Sequence, residues 1–297
     1  MPRIGYLNDA GLSLSDARAE AFRQGLRELG YVEGKNIVIE WRQSGRPAGE
    51  NAAELVRLKV DIIVTAGGGA TGPAKKATAT IPIIMMQDAD PVGNGFVAGL
   101  ARPGGNVTGL STLAPEISGK QLELLKETVP KLSLAAVLGG YTLPVNRQML
   151  REIELAAAAL GVKIQYLEVL ESKNIEPAFR SARKGQAEAV LWLVSGPVYI
   201  PHRKQVVELA LKSKLPVIYR NREDVEAGGL MSYGVNLNDL ARRAATYVDK
   251  ILKGANSAEL PVEQPTKFEF VINLKTAKEI GLTIPSNVLL RADKVIK

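Results

Sequence analysis

Short apolar runs alternate with amphipathic helical patterns along most of the chain. The runs Ile62-Ile63-Val64 and Ile83-Ile84-Met85-Met86 contain no polar residue, as is typical of strands buried on both faces. Strands that alternate with helices in this way favour parallel pairing, because each helix returns the chain to the same end of the sheet. The sequence therefore predicts an α/β fold.

The strand-helix pattern starts again after Ser111. About five strands are predicted before this point and about four between it and residue 220, which fits two doubly wound sheets better than one very wide sheet. A single eight-stranded barrel is the alternative. We predict one lobe from residues 1–112 and about 235–262, and a second from residues 113–234 and about 263–297. No long linker separates them, so a hinge is expected.

Individual helices follow from apolar spacing and from capping residues. The spacing predicts helices over Ile175–Lys184 and Leu237–Leu252, and Asn273 is expected to cap the helix that follows it. A helix is also predicted over Val92–Leu100, and another starting at Pro73 after a glycine-rich turn.

Composition excludes several classes of function. The chain has no cysteine, which excludes thiol catalysis, disulfides and cysteine-ligated metals. Its single histidine, His202, lies beside Arg203 and Lys204, and no G-x-S-x-G motif is present, so neither a serine-histidine-acid triad nor a histidine metal cluster is indicated. The net charge is +7, but the basic residues are scattered, which indicates a solvated surface and not a nucleic-acid site.

The segment Gly67–Gly72 matches the pattern G-x-G-x-x-G between a strand and a helix, with Asp88 further along the chain. A Rossmann-type oxidoreductase is therefore an open alternative, although this turn follows the third strand and not the first. Pro73 stands where a P-loop requires lysine. We expect the bare amides of Gly68–Thr71 and the Thr71 hydroxyl to bind an anion such as a carboxylate.

Two acids, Asp88 and Asp90, follow the fourth strand and are candidates to pair with a ligand ammonium group. Asp90 is also placed to cap a helix that starts at Pro91. Polar and aromatic side chains follow the strands of the second half. They offer no nucleophile-base pair, which favours binding over catalysis. These candidates are Tyr141, Ser195, Asn221 and Tyr233.

Several longer motifs resemble those of the ABC transporter substrate-binding protein family, which includes tryptophan- and tyrosine-binding members. The motifs span nearly the whole chain. They are Gly25–Asn36, Asp90–Gly93, Gly99–Gly109, Gly228–Gly234, Ile272–Ala277 and Gly281–Pro285.

The resemblance implies a type-I periplasmic binding protein, in which two Rossmann-like lobes with parallel sheets clamp a ligand in the cleft between them. It implies a ligand site built from both lobes, with no cofactor and no metal. The implied site residues of the first lobe are Asn8, Asp9, Gly68, Gly69, Ala70, Thr71, Asp88, Asp90 and Thr112. Those of the second lobe are Tyr141, Asn146, Ser195, Asn221, Glu223 and Tyr233.

We therefore expect a non-catalytic, monomeric solute-binding component of an uptake transporter. Its ligand would be an amino acid, for which an aromatic side chain is one option, with Tyr141 or Tyr233 covering the apolar part. Its partner would be a membrane permease. The sequence starts directly in a strand pattern, so we expect a periplasmic or extracytoplasmic membrane-anchored protein whose export signal has been removed. A sensor of the same fold that is not exported is the alternative.

Overall fold

The computed structural model describes residues 1–8, 17–43, 45–140, 144–194 and 196–297. The chain forms two compact units, each assembled from two segments. Unit 1 comprises Met1–Leu113 and Leu237–Thr266, and unit 2 comprises Ala114–Asn236 and Lys267–Lys297. Among the described residues, no helix combines the length and the apolar character that crossing a bilayer requires.

Strands and helices alternate through the chain. The first segment of unit 1 contains β1 (Arg3–Asn8), α1 (Ala17–Glu28), β2 (Val38–Arg42), α2 (Ala48–Arg57), β3 (Ile62–Ala66), α3 (Gly68–Ala77), β4 (Ile83–Asp88) and β5 (Val107–Ser111). The first segment of unit 2 contains α4 (Ala114–Thr128), β6 (Leu134–Gly139), α5 (Pro144–Leu160), β7 (Lys163–Glu168), α6 (Ile175–Lys184), β8 (Ala189–Trp192), α7 (Gly196–Tyr199), α8 (Arg203–Ser213), β9 (Val217–Tyr219), α9 (Arg222–Glu226) and β10 (Met231–Gly234). Helix α10 (Leu237–Leu252) then returns to unit 1, and β11 (Glu269–Asn273), α11 (Leu274–Glu279), α12 (Ser286–Leu289) and β12 (Lys294–Ile296) complete unit 2.

Unit 1 is built on a parallel sheet in the order β2-β1-β3-β4-β5. Its central strands are buried on both faces, and Ile63, Val64, Ile84 and Met85 are all fully buried. The strand order reverses between β1 and β3, so the chain leaves these two neighbouring strands in opposite directions.

Unit 2 contains a larger sheet in the order β12-β11-β10-β9-β8-β6-β7. Its strands are parallel except for the antiparallel pair β10 and β11. Here the strand order reverses between β6 and β8. The predicted α/β class with two mainly parallel sheets is confirmed, and the eight-stranded barrel is wrong because the strands form two separate sheets.

The predicted helix over Val92–Leu100 is wrong. The segment after β4 forms turns, in which the Phe96 amide donates to the Pro91 carbonyl (2.9 Å), and Gly95 has φ +68°. Closely spaced glycines prevent a regular helix here, because they lose more backbone entropy than other residues when they become helical. Helix α3 begins at Gly68 and not at Pro73. The predicted Asn273 cap is present, since its side chain accepts hydrogen bonds from the amides of Lys275 and Thr276.

The returning helix α10 packs closely on α1 in unit 1. A Cβ atom on Gly25 would lie only 2.2 Å from the carbonyl oxygen of Arg242, so the two helices touch through backbone at this point. The Tyr31 hydroxyl donates to Asp249 (2.9 Å), and Arg242 pairs with Glu28 (3.0 Å). Helix α10 is therefore an integral part of unit 1, although unit 2 separates it from α1 in the sequence.

We predict that Gly109→Ala prevents unit 1 from folding stably. Gly109 has φ +133°, and a Cβ there would lie 2.2 Å from the Met85 carbonyl oxygen of the paired strand β4. The backbone of the paired strands β4 and β5 must therefore shift, and we expect a loss of more than about 3 kcal/mol of stability, measured by urea unfolding.

The matched control is Gly105→Ala, because a Cβ on Gly105 meets no atom within 4 Å and its φ is not positive. We expect this variant to unfold at the same urea concentration as the wild type. Equal midpoints for the two variants would refute the role assigned to the Gly109–Met85 approach.

Candidate functional site

The described site residues of unit 1 lie at the carboxyl edge of its sheet. Asn8 ends β1, Gly68 follows β3, Asp88 ends β4 and Thr112 follows β5. Open α/β sheets bind ligands outside this edge, at the point where the strand order reverses. In unit 1 that point lies between Asn8 and the turn after β3.

The glycine turn after β3 presents two unused amides. Gly67 has φ +93°, and its carbonyl oxygen accepts hydrogen bonds from the amides of Ala70 (3.1 Å) and Thr71 (3.0 Å). The amides of Gly68 and Gly69 have no hydrogen-bond partner in the described part of the chain. These two donors at the start of α3 can bind an anion, and the positive end of the helix dipole adds to the attraction.

The Thr71 side chain has a structural task in this turn. It is fully buried, and its hydroxyl donates to the Gly67 carbonyl (3.1 Å) and contacts the Thr65 hydroxyl (2.8 Å). A hydroxyl has only one proton to donate, and Thr71 donates it within the turn. The Thr71 hydroxyl is therefore not available to donate to a bound anion. The anion subsite is thereby narrowed to the Gly68 and Gly69 amides.

Asp88 is the central acid of the unit 1 site. Its side chain is buried, and Oδ1 accepts hydrogen bonds from the Asp90 amide (3.0 Å) and the Asn94 side chain (3.0 Å). Its Oδ2 has no hydrogen-bond partner among the described residues and lies 3.1 Å from where a Cβ of Gly68 would be. The carboxylate thus has one satisfied oxygen and one free oxygen, and the free oxygen lies against the glycine turn.

Burial raises the pKa of Asp88 to about 6, against the lowering effect of its hydrogen bonds from Asn94 and Asp90. The charge of Asp90 nearby also raises it. A desolvated carboxylate favours protonation unless a cation compensates for the lost water. Asp88 is therefore suited to receive a positively charged group.

Asp90 and Thr112 both form hydrogen bonds with Asp88, Asp90 with its side chain and Thr112 with its carbonyl oxygen. Asp90 Oδ1 accepts from the Gly93 amide (2.9 Å), so Asp90 caps the turn that starts at Pro91, and its Oδ2 is buried without a described partner. Thr112 donates to the Asp88 carbonyl through its amide (2.7 Å) and its hydroxyl (3.3 Å). Asn94, which sequence reasoning missed, fixes the carboxylate orientation.

The described site residues of unit 2 also lie at the carboxyl edge of their sheet. Asn146 lies in the first turn of α5 after β6, where its buried side chain donates to the Gly140 carbonyl (2.6 Å). Asn221 and Glu223 follow β9, and the Asn221 side chain donates to the Tyr199 hydroxyl (2.9 Å). Asp9, Tyr141 and Ser195 lie outside the described residues, so their predicted roles stay predictions.

Tyr233, near the end of β10, lies in an aromatic group. Its ring stacks on Phe268 with centroids 5.7 Å apart and meets Phe270 edge-on at 6.3 Å. Its carbonyl accepts a hydrogen bond from the Gln121 side chain (2.7 Å). Contacts within unit 2 therefore already hold the ring that was predicted to cover a ligand.

A buried ionic network after β9 was missed by sequence reasoning. Asp224 is fully buried, and its carboxylate accepts from Arg203 Nε (2.7 Å) and from the Tyr199 hydroxyl (3.1 Å). Burial raises the pKa of Asp224, and the charge of Arg203 opposes this change. The partners come from α7, α8 and α9, so only the fold could bring them together. The described residues contain no group of three or more histidine, cysteine or acidic side chains that could hold a metal.

Comparison with known proteins gives consistent matches. The profile of the ABC transporter substrate binding protein family matches residues 13–296. A tyrosine-binding protein of Clostridioides difficile (strain R20291) is 27% identical over 270 residues, which are 90% of this chain and 77% of that protein.

Two solved structures superpose with a TM-score of 0.91, each at 28% identity and 99% coverage of both chains. One is a conserved domain protein from Vibrio cholerae, and the other is the ABC domain from Streptococcus pneumonia in complex with L-Trp.

We predict that Asp88→Asn stabilises the ligand-free protein at neutral pH. The folded pKa of Asp88, about 6, is above its ordinary value of 3.8, so its contribution to stability is present below pH 4 and lost as pH rises through 6. Asparagine keeps Oδ1 as an acceptor and removes the buried charge. We expect a melting temperature a few degrees higher at pH 7.5 and no gain at pH 4, measured by calorimetry.

Asp61→Asn is the control, because Asp61 is exposed and accepts a single hydrogen bond from the Arg3 amide (2.7 Å). It should show no comparable gain. A lower melting temperature of Asp88→Asn at pH 7.5 would contradict the desolvation of this carboxylate.

Proposed function

The chain belongs to the ABC transporter substrate-binding protein family, and we propose that it binds an aromatic amino acid for uptake through a membrane permease. Proteins of this family are solute-binding proteins and not enzymes, so the oxidoreductase alternative is set aside. The fold is that of the type-I periplasmic binding proteins.

The adjacency of Asp88 and Gly68 is the observation that carries the ligand class. Within the described part of the chain, Asp88 Oδ2 has no hydrogen-bond partner, and it lies against the turn whose Gly68 and Gly69 amides also have none. An amino acid bears its ammonium and carboxylate groups on a single carbon atom, so it needs an acceptor and a donor side by side. We assign the ammonium group to Asp88 and the carboxylate to the two amides.

The names of the relatives support an aromatic side chain. One relative is named a tyrosine-binding protein, and one similar structure contains L-Trp. In this chain, Tyr233 and Tyr141 remain the proposed cover for the apolar part of the ligand. Asn8, Asp9, Asp90, Thr112, Asn146, Ser195, Asn221 and Glu223 remain proposed contacts around it.

Transport requires a permease and a location outside the cytoplasm, where substrate-binding proteins of ABC transporters work. We propose that the chain acts there as a monomer.

A sensor of the same fold that stays inside the cell is the second candidate. Cell fractionation separates the two, and substrate-dependent stimulation of a reconstituted permease would establish the transport role.

We predict that the protein binds L-tryptophan or L-tyrosine and rejects their analogues that lack either charged group. Isothermal titration should give micromolar or tighter binding for at least one of the two amino acids. Tryptamine, which lacks the carboxylate, and indole-3-propionate, which lacks the ammonium group, should each bind about 100-fold more weakly, because either loss leaves a desolvated partner unpaired. A sugar or a purine that binds while all amino acids fail would overturn the proposed ligand class.

We predict that binding weakens as Asp88 becomes protonated. With a pKa of about 6 in the ligand-free protein, affinity at pH 5 should be about tenfold lower than at pH 7.5. Asp88→Asn should bind weakly at both pH values, whereas Asp61→Asn should follow the wild type. An unchanged affinity of Asp88→Asn at pH 7.5 would show that the ammonium group binds elsewhere.

A further inference from the structure

A lysine on helix α3 holds the segment 89–97, which follows β4. Lys75 lies in the last turn of α3, and its ammonium group donates to the backbone carbonyls of Gly95 (2.6 Å) and Phe96 (3.0 Å). An ammonium group has three protons to donate, so one side chain can satisfy both carbonyls. Hydrogen bonds from a charged donor are stronger than those between neutral groups. Lys75 therefore ties the end of the segment 89–97 to the end of the helix.

The Phe96 ring makes a second contact between the same two elements. Its Cε2 atom lies 3.6 Å from where a Cβ of Gly68 would be, and its Cε1 atom lies 3.7 Å from where a Cβ of Gly72 would be. Positions four apart share one face of a helix, and glycine at both of them lets the ring approach closely. The segment 89–97 is thus joined to the start of α3 through Phe96 and to its end through Lys75.

Asn94 lies within the segment that these contacts hold. Its backbone amide donates to the Asp90 carbonyl (2.9 Å), and its side chain donates to Asp88 Oδ1 (3.0 Å). Asn94 Nδ2 lies 3.7 Å from the Cβ position of Gly68, and Asp88 Oδ2 lies 3.1 Å from the same point. The side-chain amide and the carboxylate therefore meet at the start of α3, and the residue after Asn94 provides the first carbonyl that Lys75 holds.

We propose that Lys75 is a positioning residue for the ligand ammonium group and acts through Asn94 on the Asp88 carboxylate. By fixing the backbone next to Asn94, Lys75 limits the positions that the Asn94 side chain can take. The hydrogen bond from Asn94 then occupies Asp88 Oδ1 and leaves Oδ2 against the glycine turn. A carboxylate that is already oriented loses less entropy on binding. The inference rests on the proposed function for the identity of the ligand, and all of its contacts lie within unit 1.

Three variants separate this role from a loss of charge or of stability. Lys75→Met removes the ammonium group and keeps the aliphatic chain, and it should fold, because Lys75 is exposed and the two residues have similar helix propensities. Lys76→Met is the matched control, since Lys76 is also exposed and forms no hydrogen bond or ion pair within the described ranges. Lys75→Arg keeps a charged donor.

Each protein is titrated with L-tryptophan and with indole-3-propionate, which lacks the ammonium group. Lys75→Met should weaken L-tryptophan binding by about tenfold and indole-3-propionate binding by less than about twofold, because only the first ligand pairs with Asp88. Lys76→Met should bind both ligands as the wild type does, and Lys75→Arg should stay within about threefold of the wild type. Added to Asp88→Asn, Lys75→Met should cause no further loss, since the carboxylate that it positions is then absent.

Three results of these titrations would overturn the inference: an equal loss for both ligands, an unchanged affinity for L-tryptophan, or a further loss in the Asp88→Asn background. If the wild type binds L-tryptophan no more tightly than indole-3-propionate, the proposed ligand assignment fails, and titration of the Asp88 carboxyl carbon by NMR decides the role of Lys75. The hydrogen bond from Asn94 lowers the pKa of Asp88. A higher midpoint in Lys75→Met than in the wild type and Lys76→Met supports the inference, and an equal or lower midpoint overturns it.

Discussion

Parallel pairing of the strands is the constraint on which the rest of the structure depends. Because every parallel strand ends at the same edge, loops that are far apart in the sequence become neighbours. Asn8, Gly68, Asp88 and Thr112 are brought to one edge in this way. The central strands β3 and β4 are mostly apolar, and the close approach of Gly109 to Met85 leaves no room for a side chain between β4 and β5 at this position. The candidate site residues of unit 1 therefore lie at one edge of the sheet and not in its interior.

The elements that could be predicted from sequence are those whose apolar spacing decides their structure. Helices α6 and α10 begin and end at the residues predicted for them, since a continuous apolar stripe and clear end signals define both. The segment after Asp90 could not be predicted, because backbone hydrogen bonds and glycine flexibility determine its turns, and the apolar pattern resembles that of a helix. Similarly, Gly68 begins α3 because the Gly67 carbonyl accepts two amides, a feature that no residue pattern specifies.

The sequence predicted which residues of the candidate site follow the strands, but it did not predict their contacts. The position of Asp88 followed from the strand pattern, but its unsatisfied oxygen depends on Asn94 and on the approach of Gly68. Thr71 was predicted to face a ligand, yet the fold uses its hydroxyl within the turn. Asp224 gave no signal, because an acid in a charged loop is ordinary until the fold buries it beside Arg203 and Tyr199. The buried Asp88 oxygen that has no partner among the described residues costs stability in the ligand-free protein, an arrangement that is common where binding is the selected property.

The order of segments along the chain has a consequence for how the protein is made. Unit 1 needs α10 to cover α1, and α10 follows the first segment of unit 2 in the sequence. Unit 2 in turn is completed by strands that come after α10. During synthesis neither unit can therefore finish folding early, and the first sheet must wait with one of its faces exposed until most of the chain has emerged. Such a chain stays incompletely folded for most of its synthesis.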